Sequence, residues 1–433
     1  MGRTMGRTMG RRPRRPRPGA LAGALLVGVA ALTLAASSGA GRRFTPPRRT
    51  AIGALPQAVV VDARTRRAFV AHQDGTIDVL DATTGALVRA VRVGRFGYGQ
   101  DDIASAGRAG HVFVASAGTT RRGTTVSVLD ARSGDIIRTV AVGENPHCVV
   151  VDERRGRVFV ATARGVSALD AHTAAVVRTI DVGALVNLLA LDTRTGRLFV
   201  ATEGTDRQGL VPIAGGAGAI RAIDARAGAV IHTVAVGREP SSMALDARTG
   251  RLFVVSTIDA MVDVLDTGTG RVVRRVAIAG QPRTVAIDGR NGHALVGATG
   301  FMDKWGRFTS PSKLIMLDAR RGTVARVVTL GRSPLWQVAV DERRDRAYVV
   351  GDATTVVDTR RGVVLARLMG PDGVGGGMVA VDGATGRLLM VSAGVTTVSD
   401  PWGWVPRPLR DLPFLQPRRH VVLPSVSVRA GAG

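Results

Sequence analysis

Short apolar segments alternate with short polar segments along most of this chain, in a regular order. One stretch reads SMALD (242–246), RTG, RLFVVS (251–256), VDVLD (262–266), TGTG and RVVRRVAIAG (271–280). Runs rich in Val, Ile and Leu that are bounded by Gly, Thr and Asp are typical of β-strands joined by tight turns. The stretch therefore predicts four antiparallel strands, which we call A, B, C and D in chain order.

The same four-strand unit recurs. The phrase V-D-x-R-x-G-R-x-F-V, which covers the end of strand A and the start of strand B, aligns at seven places, with a degenerate eighth copy at Ala106. The first and last of its aspartates, Asp62 and Asp382, are 320 residues apart, which gives a period of about 46 residues. This period is in the range of four-stranded propeller blades.

The repeat predicts how the units assemble. A four-stranded sheet of this length cannot bury both of its faces alone, so neighbouring units must stack, and closing the stack into a ring leaves only short edges exposed. We predict an all-β fold, a β-propeller of four-stranded antiparallel blades, with eight blades favoured and seven possible. An open solenoid or β-helix is the main alternative. Because TAIG (50–53) resembles the passage from a D strand to an A strand, we expect the N-terminal piece to complete the last blade.

Fourteen of the 29 aspartates occupy fixed positions in the repeated unit. They open the A–B and C–D turns, where an Asp can accept backbone N–H groups and a following Gly can adopt positive φ. We interpret them as turn formers and not as metal ligands or catalytic acids. They are Asp62, Asp81, Asp130, Asp152, Asp170, Asp192, Asp224, Asp246, Asp266, Asp288, Asp318, Asp341, Asp358 and Asp382.

The N-terminus has the pattern of an export signal. Residues 1–19 hold seven arginines, residues 20–36 are uncharged and apolar, and SSGA (37–40) offers small residues for cleavage. The apolar run is marginal for spanning a bilayer, so a cleaved signal and an N-terminal anchor both remain open. The expected organisation is signal peptide or anchor 1–40, linker 41–50, propeller 51–400, and a proline-rich C-terminal segment 401–433 that can take part in ring closure.

The net charge and the search for cofactor motifs exclude few classes of function. The net charge is +25, and it would be +18 without residues 1–40, which contain no acidic residue. Such a surface favours polyanions without selecting one. Cys148 is the only cysteine, so no intramolecular disulfide can form. We find no HExxH, CxxCH, GxSxG or P-loop motif and expect no cofactor or metal, although calcium held by backbone carbonyls stays open.

A short motif recurs in the B strands as FVAS (113–116), FVAT (159–162 and 199–202), FVVS (253–256) and YVVG (348–351), and a longer stretch reads VSVLDARSGDIIRTVAVGENP (126–146). With these motifs the repeats resemble the YVTN-type β-propeller family, which includes YncE-like secreted proteins. The resemblance implies the propeller fold and an extracytoplasmic location. It implies little about activity, because such propellers serve many roles.

The loops suggest where a ligand would bind. If strand A lines the channel, the D–A and B–C loops emerge together on one face, and function is expected on loops carried by a rigid scaffold. The B–C loops at 118–124, 204–218 and 300–312 are long. No catalytic residue is assigned. The candidate ligand-binding residues at this channel mouth are His72 in the first B–C loop, Asp101, Glu144, His147, Glu239, Arg283, Trp305 and Trp336.

We therefore expect a monomeric, exported binding or scaffold module whose partner is a protein, a glycan or a polyanion. The membrane is a partner only if the N-terminal segment is not cleaved. A lactonase- or lyase-like propeller enzyme with His147 or His72 as acid/base is the alternative, and polyanion or nucleic-acid binding is the second. Carboxylates and a histidine converging on the axis would favour the enzyme, and an apolar channel would favour binding. Nucleic-acid binding would need arginines clustered with exposed aromatics.

Overall fold

The computed structural model describes residues 48–53, 56–94, 102–116, 124–203, 216–368, 377–382, 385–392 and 395–399. These residues form thirty-two β-strands and no α-helix, so none of them belongs to a helix able to cross a membrane. The predicted signal segment, the long loops at 118–124 and 204–218 for the most part, the C-terminal segment 401–433 and Asp101 lie outside them.

Eight antiparallel sheets of four strands are formed, each in the order A, B, C, D. The A strands are β2 (Pro56–Asp62), β6 (Ile103–Ala106), β10 (His147–Asp152), β14 (Val186–Asp192), β18 (Pro240–Asp246), β22 (Gln281–Asp288), β26 (Gln337–Asp341) and β30 (Met378–Val381). The B strands are β3 (Arg67–His72), β7 (His111–Ser116), β11 (Arg157–Thr162), β15 (Arg197–Thr202), β19 (Arg251–Ser256), β23 (His293–Thr299), β27 (Arg346–Val350) and β31 (Leu388–Ser392).

The C strands are β4 (Thr76–Asp81), β8 (Thr125–Asp130), β12 (Gly165–Asp170), β16 (Ala217–Asp224), β20 (Met261–Asp266), β24 (Ser312–Asp318), β28 (Thr354–Asp358) and β32 (Val395–Ser399). The D strands are β5 (Leu87–Arg92), β9 (Ile136–Ala141), β13 (Val176–Asp181), β17 (Val230–Arg238), β21 (Arg271–Ala277), β25 (Val324–Gly331), β29 (Val363–Leu368) and β1 (Arg48–Ala51). Blade 1 is β2–β5, blades 2 to 7 follow in chain order, and blade 8 is β30–β32 with β1 as its outer strand.

The sheets close into a ring, which confirms the predicted propeller and excludes the open solenoid. Each A strand contacts the A strands of both neighbouring blades, including β30 with β2. The N-terminal strand β1 pairs antiparallel with β32, from Arg48 opposite Val398 to Ala51 opposite Val395, so the N-terminal piece completes the last blade as predicted. Arg387 of blade 8 also donates a hydrogen bond to the carbonyl of Thr83 in blade 1.

Burial gives the blades a radial order. The A strands are innermost, the B and C strands carry most of the core, and the D strands are outermost and largely exposed. Eight apolar clusters lie between the eight pairs of neighbouring blades. Phenylalanines at one position of the B strands are buried at these interfaces, which accounts for the F in the repeated phrase. They are Phe69, Phe113, Phe159, Phe199 and Phe253.

The outer strands are irregular in a way that the sequence pattern does not disclose. In blade 2 Leu129 pairs with Ile136 and Val128 pairs with Arg138, so Ile137 has no opposite residue and the strand is bulged. Register shifts lie at the equivalent place in blades 1 and 3 to 7. A bulge twists an exposed edge away from the geometry that would pair with another chain. The bulges therefore protect the edges that carry exposed apolar residues from pairing with another chain.

The aspartates form turns, as predicted. Asp246 Oδ1 accepts hydrogen bonds from the backbone N–H groups of Arg248, at 3.0 Å, and Thr249, at 3.4 Å, and Gly250 follows with φ of 65°. The aspartates of the A–B turns that the structure describes are mostly buried, whereas those of the C–D turns, apart from the buried Asp358, are partly exposed. In the C–D turn of blade 5, hydrogen bonding from the backbone N–H of Thr269 is the main cause that holds the pKa of Asp266 below its ordinary value.

Many arginines link blades. Arg67, the first residue of a B strand, places Nη1 2.9 Å from Asp81 of its own C–D turn and Nε 3.2 Å from the carbonyl oxygen of Arg132 in blade 2. Arg138 of an outer strand donates to the carbonyl of Thr173 in the next blade, at 2.9 Å. These arginines serve the packing of the ring, so the net charge overstates the number that is free to bind a polyanion.

Candidate functional site

The channel wall is apolar over its middle section. The half-buried side chains at the centres of the A strands, which are the innermost strands, are mostly aliphatic, and the polar ones among them include Ser105 of blade 2. Within the described residues, no group of three His, Cys, Asp or Glu side chains could hold a metal ion. The apolar residues of the central wall are Val59, Val60, Val61, Ala104, Val150, Val151, Ala190, Leu191, Met243, Ala244, Ala286, Ile287, Ala339, Val340, Ala380 and Val381.

The D–A and B–C loops meet on one face of the ring. The N–H of Ala163 in a B–C loop donates to the carbonyl of Glu144 in a D–A loop, at 2.8 Å, and the N–H of Thr257 donates to the carbonyl of Glu239, at 3.1 Å. The A–B and C–D turns occupy the opposite ends of the same strands. We call the two ends the loop face and the turn face.

His72 is not in a loop. It is the last residue of β3 and is fully buried, with Nε2 3.0 Å from Asp78 Oδ2. The same carboxylate accepts the backbone N–H of Gly53 at 2.8 Å, and a Cβ at position 53 would lie only 2.9 Å from His72 Cγ. His72 thus fixes the ring-closing segment, in the strand position that Ser116 holds in blade 2. The expected loop placement was wrong because FVAH aligns with FVAS.

The imidazole of His147 also contacts groups within the protein. It is the first residue of β10, with Nδ1 2.8 Å from the carbonyl oxygen of Asn145 and Nε2 2.8 Å from that of Val186 in the next blade. A neutral imidazole donates from only one ring nitrogen, and the imidazolium donates from both. In either form both nitrogens face acceptors inside the protein, so the ring links blades 3 and 4.

The remaining polar candidates form a mixed rim on the loop face. Glu144 and Glu239 are exposed in D–A loops, and Arg283 is exposed near the start of β22. Arg283 lies at a register shift, which can re-aim a side chain at a barrel rim. Shifts at the same place in four other blades could not be predicted from the sequence. The residues at the five shifts are Gln57, Cys148, Asn187, Ser241 and Arg283.

The B–C loop of blade 6 is a projection with an apolar tip and many internal hydrogen bonds. Phe301, Met302 and Trp305 are 50%, 48% and 73% exposed. Met302 and Phe308 form a β-bridge, and Asp303 Oδ1 accepts the N–H groups of Trp305 and Arg307, at 2.8 and 2.9 Å. Many internal hydrogen bonds therefore hold the exposed aromatic side chains on a rigid support.

Trp336 lies beside the base of this projection. It is 44% exposed, and the N–H of the preceding residue, Leu335, donates to Thr299 Oγ1 at 3.0 Å. Ser312 Oγ donates to the carbonyl of Ser333 at 2.5 Å. Thr299 and Ser312 are the strand ends that flank the projecting loop, so this loop and the Trp336 segment share one base. We call Phe301, Met302, Trp305 and Trp336 the aromatic sector.

The candidates are thus spread around the loop face and do not converge on one point. Glu144 and His147 belong to the passage between blades 2 and 3, whereas Trp305 and Trp336 belong to blades 6 and 7. Trp305 and Trp336 are the candidates whose segments share one base, through the hydrogen bonds of Thr299 and Ser312. The sequence signal for them was a long B–C loop with aromatic residues in a chain that contains only 4% of them.

Comparison with known proteins supports the fold and no more. No family model matches the chain. No curated protein matches it either. It is similar to the crystal structure of the computationally designed Ika8 protein, with TM-score 0.60 and 13% identity over 80% of this chain and 96% of that one. It is also similar to dihydro-heme d1 dehydrogenase NirN in complex with DHE, with TM-score 0.56 and 15% identity over 73% of this chain and 66% of that one. At such identities the likeness defines the chain as a β-propeller and says nothing of its ligand.

Proposed function

We propose that this protein is an exported binding module that holds a partner protein on the loop face through the aromatic sector. The single observation that carries the proposal is the rigid projection of Trp305, Phe301 and Met302 into solvent. Aromatic residues, Met and Arg are enriched at protein interfaces, and Trp is prominent among the residues whose truncation costs most affinity. Lys304 Nζ lies 5.0 Å from the centre of the Trp305 ring, which adds a charged rim to the apolar tip.

Pre-organisation strengthens this proposal. Asp303, Ser310 and the Met302–Phe308 bridge hold the loop by hydrogen bonds before any partner is present. Binding to a rigid surface avoids much of the entropy cost of ordering a loop. The composition also favours a protein over a polyanion, because Met302 and Phe301 have no complementary group in a phosphate chain.

The hydrolase alternative has less support. It requires a histidine nitrogen or carboxylate at the channel mouth that is able to exchange a proton with a substrate. His147 has both ring nitrogens directed at carbonyl oxygens, and His72 is buried against Asp78. The aliphatic side chains of the channel wall offer no acid or base.

Export and YVTN-type membership are part of the proposal and rest on the sequence. The basic segment followed by residues 20–36 and SSGA supports export, and the FVAS-like motifs support the family. Cys148, the only cysteine, is buried, so the fold does not depend on a disulfide in an oxidising compartment.

Face-specific photo-cross-linking tests the proposal. A benzophenone amino acid is placed at Trp305 on the loop face and, in a matched variant, at Arg320 on the turn face, in the full chain expressed in its own cells. We expect a discrete protein adduct from position 305 and none from position 320. An adduct from 320 alone, or an adduct of glycan or nucleic acid from 305, would contradict a protein partner on the loop face.

A further inference from the structure

We infer that the turn face carries a separate site, at the channel mouth between blades 1 and 2, for a small organic anion with an apolar body. This site is on the face opposite to the aromatic sector, so it does not rest on the proposed function. The inference combines an open cavity, two guanidinium groups that form no salt bridge with any described residue, and a local departure from the repeat.

The cavity has a volume of about 520 Å³ and is lined mainly by blades 1 and 2. Its inner wall is apolar and is formed by Val60, Val61, Ile103, Ala104 and Val151. Cavities of this size, mostly apolar with a few polar groups, are typical of small-molecule sites. The wall therefore suits an aromatic or aliphatic body.

The polar rim of the cavity carries two arginines, beside two carboxylates that accept hydrogen bonds from the protein. Arg64 and Arg108 line it with exposed side chains, and within the described residues neither guanidinium lies within salt-bridge distance of a carboxylate. Both carboxylate oxygens of Asp62 accept hydrogen bonds within the protein: Oδ1 accepts the N–H of Arg64 at 2.8 Å, and Oδ2 accepts the hydroxyl of Ser105 at 2.6 Å. Glu153 Oε2 accepts the N–H of Arg108 at 3.1 Å.

The departure of blade 2 from the repeat explains why the site is here. In blades 4 and 5 the turn aspartate lies 3.7 Å from the arginine two residues later, as in Asp192–Arg194 and Asp246–Arg248. Blade 2 has Ala106 at this position, so Arg108 lacks that carboxylate. The guanidinium charge that faces a turn aspartate in blades 4 and 5 is therefore left for a ligand at Arg108.

Gly107 shapes the same rim. A Cβ at this position would lie 3.1 Å from Asp62 Oδ2 and 3.3 Å from Arg64 Cδ. A side chain at position 107 would thus press against the stem of Arg64, which lies over the blade 2 turn. Glycine allows Arg64 to reach the rim that Arg108 also lines.

Guanidinium groups bind carboxylate, sulfonate and phosphate oxygens through paired, charge-assisted hydrogen bonds. Two such groups above an apolar wall select a ligand with an anionic head and an apolar body. The expected ligand is therefore an aryl or alkyl oxyanion, and the competition experiment below identifies which anionic head group the site prefers.

The test uses 8-anilinonaphthalene-1-sulfonate, a fluorescent aryl sulfonate, titrated onto the purified full chain. The neutral N-phenyl-1-naphthylamine serves as the uncharged comparison, and alkyl carboxylates and phosphates serve as competitors. We expect saturable binding at one site and at least about a tenfold loss of sulfonate affinity in Arg64→Gln/Arg108→Gln, given the usual strength of charged hydrogen bonds. The matched control Arg248→Gln alters a turn arginine outside the cavity and is expected to bind as the parent does.

Further variants distinguish loss of the site from loss of the fold. Ala104→Leu fills part of the cavity and should weaken both probes, whereas Trp305→Ala should leave both unchanged. Thermal melting shows which variants are folded, and Arg108→Gln alone, at an exposed position, replaces the double variant if the latter unfolds. Equal affinity for the two probes, an equal loss in Arg248→Gln, or absence of saturable binding would overturn the inference.

Discussion

Asp266→Ala tests the claim that the repeated aspartates are structural. Asp266 Oδ1 accepts the backbone N–H groups of Gly268 and Thr269, at 3.0 and 2.8 Å, and Thr269 Oγ1, at 3.0 Å. Its other oxygen pairs with Arg251, whose Nε donates to the carbonyl of Arg320 in blade 6 at 3.3 Å. The substitution therefore removes the hydrogen bonds that hold this turn and the carboxylate partner of Arg251, the residue that links blades 5 and 6.

The magnitude follows from these contacts. Three hydrogen bonds at a partly exposed turn contribute about 0.5–1 kcal/mol each, and a surface ion pair adds between about 0 and 1 kcal/mol. We expect Asp266→Ala to lower the free energy of unfolding by about 2 kcal/mol. Asp246→Ala removes two hydrogen bonds, one of them long at 3.4 Å, and should cost about 1 kcal/mol.

Urea unfolding at about pH 7, followed by circular dichroism and tryptophan fluorescence, measures this loss, provided the two probes give one transition. Asp266→Asn is the matched control, because its amide oxygen can still accept the turn N–H groups while the charge is lost. A loss in Asp266→Asn as large as in Asp266→Ala would refute the turn role. So would an Asp266→Ala variant within a few tenths of a kcal/mol of the parent.

The pKa of Asp266 adds a pH dependence. Because the folded pKa is lowered from its ordinary 3.8, the carboxylate stabilises the fold above that value, and the stabilisation is lost as the pH falls through the lowered folded pKa. The difference in unfolding free energy between the parent and Asp266→Asn should be constant above about pH 5 and shrink below about pH 4. A difference that grows on acidification would contradict the assignment.

Three further predictions concern other parts of the molecule. Burial raises the pKa of Asp263, so the contribution of this carboxyl group to stability is greatest below pH 3.8 and is lost as the pH rises through the raised pKa. The unfolding free energy of Asp263→Asn should therefore increase relative to that of the parent between about pH 4 and pH 7, as measured by urea titrations at both pH values. Gly53→Ala should destabilise by about 1–3 kcal/mol because its Cβ meets the His72 ring, and adding His72→Ser should recover part of the loss in a thermal-melting cycle. Sequencing of the N-terminus of the exported protein should begin at Gly41, and a chain that retains residues 1–40 in the membrane fraction would instead support an anchor.

The sequence was sufficient for the architecture because each repeat carries its own turn chemistry. The spacing between Asp62 and Asp382, the Asp and Gly of each turn, and the TAIG segment at residues 50–53 predicted the blades and the closing strand. These signals are local, and stacking of like units then leaves little choice of fold. The bulges at Ile137 and Arg283 depend on pairing between strands and have no residue signature of their own.

The candidate site was only partly predictable. The long loop around Trp305 stood out by composition, but its hydrogen bonding and its common base with Trp336 depend on side-chain geometry. His72 could have been placed in strand B by aligning FVAH with FVAS, and its partner Asp78 has no counterpart in most blades. The missing aspartate at Ala106 was visible in the sequence, yet the cavity beside it appears only when blades 1 and 2 are packed together.

The most direct test of the proposed function is the affinity of the cross-linked partner for two double variants of the full chain. Trp305→Ala/Trp336→Ala alters the aromatic sector, and Arg248→Ala/Arg320→Ala alters exposed turn-face residues, with melting temperatures recorded for both. Loss of interface hot spots of about 2 kcal/mol corresponds to about a 30-fold weakening, so the first variant should bind at least that much more weakly and the second as the parent does. Undiminished binding by Trp305→Ala/Trp336→Ala, or loss confined to Arg248→Ala/Arg320→Ala, would contradict recognition through the loop face.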